Sequence, residues 1–105
     1  MRQFRPAELA AYLQAGHTPV LVDVREPWEA ERCSIAGSVL IPMGELTGRI
    51  QELNPDAETV VICHHGVRSF HVARYLESVG FENVINLSGG VAAWADEVDP
   101  AMPRY

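Results

Sequence analysis

The chain has 105 residues, of which 48% are hydrophobic and 21% are charged. That length and composition predict one folded domain, 1–105, with its own hydrophobic core, and they exclude a disordered segment. The formal net charge is −6 and all eight basic residues are arginine, so an extended basic surface for nucleic acid or anionic membranes is excluded.

Short apolar segments alternate with amphipathic segments along the chain. The pattern of the first half predicts helices over 6–16, 26–32 and 44–53 and strands over 20–24 and 38–42. The pattern of the second half predicts strands over 59–63 and 83–87 and helices over 67–80 and 88–98. Strands and helices that alternate at these lengths predict an α/β domain with a mainly parallel sheet and helices on both faces.

Three polar loops follow predicted strands. They read DVREP at 23–27, CHHGVRS at 63–69 and LSGG at 87–90. Because ligands bind at the carboxyl ends of the strands in open α/β sheets, we expect these loops to form one site.

The second loop contains a candidate nucleophile, Cys63. It stands at the end of a predicted strand and just before a helix, where the helix N-terminus and Arg68 both favour the thiolate. Gly66 allows a positive φ, so the loop can curl and turn several N–H groups inward as an anion-binding nest. Ser69 is placed to cap the helix or to hydrogen-bond the thiolate. These features predict an anion cradle with a reactive thiol at its floor, with an inert buried thiol as the alternative.

His64, His65 and Cys33 each have two interpretations. Adjacent histidines suggest a metal site, but their side chains are expected to diverge and no second ligand cluster has zinc-like spacing. We therefore predict no metal and a loop-lining role for both. Cys33 is predicted to be a small packing residue, and a polysulfide relay through it is left open. Two cysteines without a CxxC motif do not predict a disulfide scaffold or a dithiol redox site.

The spacing of the loop bears on the class of anion. Four residues separate Cys63 from Arg68. Cysteine-dependent phosphatases resemble this loop, but they use CxxxxxR, with five residues between, to wrap a tetrahedral phosphate. The shorter loop makes a tighter cup, which argues against a phosphatase or an arsenate reductase on the same fold.

CHHGVRS resembles the CxxGxRS active-site loop of single-domain rhodaneses, the thiosulfate sulfurtransferases. LVDVREPWE (21–29) is similar to the family's DVREPxE segment, IAGSVLIPM (35–43) to its HIPGAxxIP segment and INLSGGVAAW (85–94) to its xxLxGGxxAW segment. These pieces occur in family order and with family spacing across nearly the whole chain. The resemblance implies a rhodanese-like three-layer α/β/α domain with a mainly parallel central sheet of about five strands.

The resemblance also implies a function. Cys63 is expected to attack the outer sulfur of thiosulfate and to hold it as a persulfide until cyanide, a thiol or a protein accepts it. The implied substrate-binding residues cradle the persulfide with backbone N–H groups and bind the anionic donor with the arginine: His64, His65, Gly66, Val67 and Arg68. No cofactor is implied.

Asp23 and Arg25 match the family's Asp-x-Arg. We interpret them, with Ser69, as supporting residues, because charged pairs at strand ends commonly fix adjacent loops through hydrogen bonds. Trp28 and Trp94 are expected to pack under or beside the site.

A non-catalytic rhodanese-like module that binds a partner protein is the other alternative. Such modules commonly lack the loop cysteine, which this chain keeps. The expected partners of an enzyme are a small sulfur-donor anion and a thiol or cyanide acceptor, with a sulfur-relay protein left open, and neither nucleic acid nor membrane. No apolar run approaches the roughly 20 residues of a membrane span and the N-terminus lacks a signal-like apolar region, so we expect a cytoplasmic protein. The small size of the domain leaves a monomer and a weak homodimer as alternatives.

Overall fold

The computed structural model describes residues 1–105 as α-helices packed around a five-stranded sheet. The strands are β1 (Arg2–Phe4), β2 (Val20–Asp23), β3 (Val39–Leu40), β4 (Thr59–Ile62) and β5 (Val84–Leu87). The helices are α1 (Pro6–Gln14), α2 (Pro27–Arg32), α3 (Val67–Ser78) and α4 (Gly90–Glu97), and two 3₁₀ helices cover Met43–Glu45 and Thr47–Glu52. None of the helices has the length and apolar character needed to cross a membrane.

All strand pairs in the sheet are parallel, and the strand order is β1-β5-β4-β2-β3. The register places Val61 of β4 between Val22 of β2 and Asn86 of β5. Strands β4 and β5 are buried along their whole length because both faces of the sheet are covered. The predicted α/β architecture with a parallel sheet of about five strands is confirmed.

The core consists of two hydrophobic clusters, one on each face of the sheet. Ile62 of β4 belongs to one cluster together with Trp94 of α4, whereas Val61 belongs to the other together with Leu76 of α3. Alternation of side chains along the strand therefore supplies both layers of the α/β/α arrangement. Cys63 follows β4 directly, continues this alternation and packs on the α3 side.

Two segments differ from the sequence prediction. The segment predicted as one helix over 44–53 forms 3₁₀ helices, and the Arg49 N–H bonds to the Leu46 carbonyl three residues earlier. Its two glycines and Thr47 have low helix propensity, which favours short 3₁₀ turns over an α-helix. Strand β1 is absent from the prediction because three residues at a sheet edge, two of them exposed and polar, carry no apolar pattern.

Candidate active site

The loop 63–69 joins β4 to α3 and turns sharply at Gly66. This residue precedes α3 with φ +94°, a left-handed conformation that favours glycine. A Cβ at this position would lie 2.9 Å from the Gly89 nitrogen and 3.2 Å from the Leu87 carbonyl oxygen. Glycine is therefore required both by the backbone angle and by the close approach of the neighbouring loop.

Gly90 lets the first turn of α4 approach the same loop. A Cβ on Gly90 would lie 2.3 Å from the Cys63 carbonyl oxygen and 2.4 Å from that of His64. The same carbonyls accept hydrogen bonds from the N–H groups of Val91 and Ala92, each at 3.0 Å. The amides at the start of α4, which have no partner within the helix, thus hold the loop in place.

The Cys63 sulfur is buried, with 1% of the residue exposed, and it accepts two backbone hydrogen bonds. The N–H of Gly66 donates to it at 3.1 Å and the N–H of Ser69 at 3.3 Å. Two amides that point at one sulfur stabilise negative charge on it, and the N-terminus of α3 acts in the same direction. This is the local geometry that an activated thiolate requires.

Ser69 connects the sulfur to a buried amide. The thiol of Cys63 donates to Ser69 Oγ at 3.3 Å, and the hydroxyl donates to Asn86 Oδ1 at 2.5 Å. Of the two roles expected for Ser69, the structure contains the contact with the sulfur, and the side chain does not cap α3. Asn86 was missed by the sequence analysis because it reaches the loop from β5, 17 positions away.

Asp23 and Arg25 form a buried ion pair at the carboxyl end of β2. Arg25 is 0% exposed, and its Nη2 lies 2.7 Å from Asp23 Oδ2 and 2.7 Å from the Cys33 carbonyl. Burial lowers the pKa of Arg25, but hydrogen bonds to Asp23 and Tyr105 outweigh it, so the pKa rises above its usual range. The guanidinium is directed into the protein, an arrangement that suits a support for the loop after β2.

Glu29 belongs to the site although the sequence analysis did not single it out. It is the third residue of α2 and accepts the backbone N–H of Glu26 at 3.0 Å in a capping box. Its two carboxylate oxygens also accept hydrogen bonds from Arg68, each at 2.7 Å. The hydrogen bonds from Arg68 outweigh burial and lower the pKa of Glu29 to about 2. The spacing of the two glutamates signals the capping box but not the ion pair.

Tyr105 connects the two ion pairs. Its hydroxyl accepts a hydrogen bond from Arg25 Nη1 at 2.9 Å and donates one to Glu29 Oε2 at 3.0 Å. Its ring stacks on the His64 ring with the centroids 3.9 Å apart. Burial raises the pKa of Tyr105 to about 12, so the hydroxyl remains a donor at neutral pH. No local pattern indicates this role, because Tyr105 is 76 positions from Glu29.

The expectation that the two histidines diverge is wrong. The ring centroids of His64 and His65 are 3.9 Å apart, with 31° between the ring planes. The loop curls around the sulfur instead of continuing the strand, so consecutive side chains do not alternate in direction. Burial and the neighbouring His65 lower the pKa of His64, which keeps its imidazole neutral at pH 7. No group of three or more His, Cys, Asp or Glu side chains is arranged to hold a metal ion.

The two tryptophans pack to different extents. Trp94 is buried in the core, whereas Trp28 is 55% exposed and packs edge-on against the Tyr105 ring, with the centroids 5.7 Å apart. Cys33 is buried in the core cluster of α1 and α4, as expected of a packing residue. It also lines a cavity of about 180 Å³ together with His64, residues of α4 and the C-terminal segment.

The chain matches the family model of the rhodanese-like domain over residues 5–97. It is 36% identical to the putative sulfurtransferase YtwF of Bacillus subtilis, over 95% of this chain and 96% of that protein. It is 37% identical to the thiosulfate sulfurtransferase GlpE of Pseudomonas fluorescens, over 89% of this chain and 84% of that protein. Several other relatives are longer, and the chain spans only 26% to 43% of their length.

The fold has close counterparts among solved structures. The crystal structure of a rhodanese-like domain protein from Staphylococcus aureus matches with a TM-score of 0.85 and 33% identity, over 93% of this chain and 95% of that one. The family match covers the three loops that follow β2, β4 and β5 and most of the rest of the sequence. The chain belongs to the rhodanese-like family.

Proposed function

We propose that the protein is a sulfurtransferase that carries a sulfane sulfur as a persulfide on Cys63. One observation carries the proposal: the N–H groups of Gly66 and Ser69 point at the Cys63 sulfur from the start of α3. These groups stabilise the thiolate before it attacks and the negatively charged sulfur afterwards. Relatives named as sulfurtransferases support the same class of reaction.

The proposed reaction consists of two half-reactions. In the first, the Cys63 thiolate attacks the outer sulfur of thiosulfate. A new S–S bond forms while the bond between the outer and the sulfonate sulfur breaks, and sulfite leaves with the electron pair. In the second, cyanide or a thiolate attacks the outer sulfur of the persulfide, and Cys63 leaves as the thiolate. No external oxidant or reductant is consumed.

In this proposal, the residues that follow Cys63 in the loop bind the sulfur donor. The backbone N–H groups of residues 64–68 form a cup for the outer sulfur. Arg68 contacts the anionic donor, since a guanidinium has five N–H donors and Glu29 occupies two of them. Asp23 and Arg25 act indirectly, because Arg25 of this buried pair also binds the backbone carbonyl of Glu29 in α2.

Thiosulfate is the first donor to test, because a relative of 37% identity is named for its use. A persulfide of a small thiol is the second donor, and cyanide, a thiol or a sulfur-relay protein is the acceptor. The gap of four residues between Cys63 and Arg68 argues against phosphate esters and arsenate as substrates.

The test is an intact-mass spectrum of the protein after incubation with thiosulfate. Wild type is compared with Cys63→Ser and with Cys33→Ser, which removes the other free thiol and serves as the matched control. We expect a gain of one sulfur atom in wild type and Cys33→Ser, its removal by cyanide, and no gain in Cys63→Ser. A cyanide-labile sulfur in Cys63→Ser would refute the proposal. No gain from thiosulfate or from a small-thiol persulfide would leave a binding module, and turnover of a phosphate ester would favour a phosphatase.

A further inference from the structure

The arginines of the active-site loops are both bound to carboxylates. Asp23 pairs with Arg25 inside the protein, and Glu29 pairs with Arg68 nearer the surface. Each pair sums to no net charge. The charge of Arg68, which is the arginine nearer the surface, is therefore already offset by a carboxylate, and Arg68 attracts a multiply charged donor less strongly than a free guanidinium would.

The pair of Glu29 and Arg68 has the geometry of a strong ion pair. Two parallel N–H to oxygen bonds of 2.7 Å join the side chains, and Glu29 is 4% exposed while Arg68 is 33% exposed. The low pKa of Glu29, about 2, keeps the carboxylate charged at neutral pH. The charge of Arg68 is thus offset under all conditions in which the protein is expected to act.

Arg68 lies close to the reacting sulfur, because its neighbour Ser69 contacts the sulfur through both its backbone N–H and its hydroxyl oxygen. Thiosulfate brings two negative charges to an attacking thiolate, so its reaction depends strongly on positive potential at this point. The electrophilic form of a small-thiol persulfide is the protonated RS–SH. Its reacting sulfur carries no charge, so the attack on it depends on that potential far less.

We propose that Glu29 is a specificity-determining residue, which lowers the positive potential at Cys63 by binding Arg68 and so favours small-thiol persulfides over dianions such as thiosulfate. The inference rests on the proposed sulfur transfer and names its donor class. The Cys63 thiolate attacks the outer sulfur of RS–SH, a new S–S bond forms and the bond to the inner sulfur breaks. The thiolate RS⁻ leaves with the electron pair, and the transferred sulfur keeps its proton, so atoms and charge balance.

Glu29→Gln is the variant that isolates this role. Glutamine also serves in a capping box, so the hydrogen bond from the Glu26 N–H at the start of α2 can be kept while the charge is removed. Glu52→Gln is the matched control, because Glu52 also binds an arginine, Arg49, through both oxygens. That pair lies on the exposed 3₁₀ helix, and the substitution changes the net charge by the same amount.

The measurement compares two alkylating reagents of nearly equal size. Iodoacetate is an anion and iodoacetamide is neutral, so the ratio of their rates at Cys63 reports the local potential. Peptide mass spectrometry separates the modification of Cys63 from that of Cys33. We expect the ratio to rise about three- to tenfold in Glu29→Gln and to stay at the wild-type value in Glu52→Gln. Equal ratios in the two variants would overturn the proposal.

Steady-state kinetics supply the donor side of the test. We expect kcat/KM for thiosulfate, relative to kcat/KM for cysteine persulfide, to rise about three- to tenfold in Glu29→Gln only. If Glu29→Gln does not fold, the double variant Glu29→Gln/Arg68→Gln decides the matter. Because the two charges of the pair offset each other, its alkylation ratio at Cys63 should lie within about twofold of the wild-type ratio, and a clear fall in the ratio would refute the inference.

Sulfur transfer by Cys63 and the effect of Glu29 on the potential at Cys63 are tested independently. Alkylation requires no sulfur transfer, so it tests the effect of Glu29 on the potential even in a protein that accepts no sulfur. If Cys63 takes sulfur from neither donor, the proposed function fails and the donor class fails with it. If Cys63 takes sulfur and the alkylation ratio does not respond to Glu29→Gln, the role of Glu29 alone is refuted.

Discussion

The two sides of Cys63 are built in different ways. On one side, backbone amides at the N-terminus of α3 bind the sulfur and amides of α4 bind the loop carbonyls, and glycines stand where these two segments approach each other. On the other side, a network of side chains runs from the buried interior to the partly exposed Arg68. Its members are Asp23, Arg25, Tyr105, Glu29 and Arg68. The difference teaches that the backbone sets the shape of the site, while side chains from distant segments set its charge.

Gly90→Ala disrupts the backbone contact between α4 and the loop 63–69, and we expect it to have the largest effect. The new Cβ would meet the Cys63 carbonyl oxygen at 2.3 Å, and Gly90 has φ +59°. We expect a loss of more than about 4 kcal/mol in the free energy of unfolding, measured by urea denaturation, together with loss of sulfur transfer. Gly48→Ala is the control, since nothing lies within 4 Å of a Cβ there, and it should change stability by less than about 1 kcal/mol. Similar stability of the two variants would contradict this account of the loop.

The free energy of unfolding at acid pH tests the network of side chains. The pKa of Glu29 is lowered from 4.5 to about 2, so its contribution to stability is complete above pH 4.5 and is lost as the pH falls toward 2. A shift of this size corresponds to a contribution of about 3 kcal/mol. We expect the free energy of unfolding, measured by urea denaturation, to fall between pH 5 and pH 2 in both proteins. The fall should be smaller by this amount in Glu29→Gln, which lacks the carboxylate. Parallel curves for the two proteins would show that the carboxylate is not stabilised by Arg68.

Tyr105→Phe tests one hydroxyl of the side-chain network and has a smaller expected effect. It removes the hydroxyl between Arg25 and Glu29 and keeps the ring that stacks on His64. We expect a loss of about 1–2 kcal/mol, measured by denaturation, because the hydroxyl bonds two charged groups in a part-buried position. The fluorescence of Trp28, which lies edge-on to the Tyr105 ring, should be unchanged.

Tyr75→Phe is the matched control for that substitution. Tyr75 is part-buried on α3 and its hydroxyl makes no side-chain hydrogen bond, so its removal should change stability by less than about 0.5 kcal/mol. An equal loss in both variants would mean that the Tyr105 hydroxyl contributes nothing specific to the network.

The part of the backbone side that the loop 63–69 supplies could be predicted because its residues are close in sequence, whereas the hold of α4 on this loop could not. Cys63, Gly66 and Ser69 lie within seven consecutive residues, and their roles follow from a strand end, a positive φ and a helix start. The side-chain network could not be predicted in the same way. Glu29 is 39 positions from Arg68, and the partners of Tyr105 are 76 and 80 positions away, so only the folded chain brings them together.

The fold shows the same division between local and long-range information. The buried strands β2, β4 and β5 have apolar runs that predict them directly. The edge strand β1 has no such run, and it forms because Arg2–Phe4 pairs in register with the edge of β5 that does not face β4. Leu46, Ile50 and Leu53 have helical spacing and do face the core, yet local propensity makes the segment 3₁₀.

The attachment of Cys63 to both layers of the domain has a consequence for dynamics. Its side chain packs in the cluster on the α3 side, while its carbonyl is held by the N–H of Val91, which belongs to the cluster on the α4 side. Neither layer can open without disturbing this residue, so the loop has no independent route to local unfolding. The amide protons of Gly66, Ser69 and Val91 should therefore exchange with deuterium as one cooperative group. On heating, sulfur transfer and tertiary structure should be lost in the same transition.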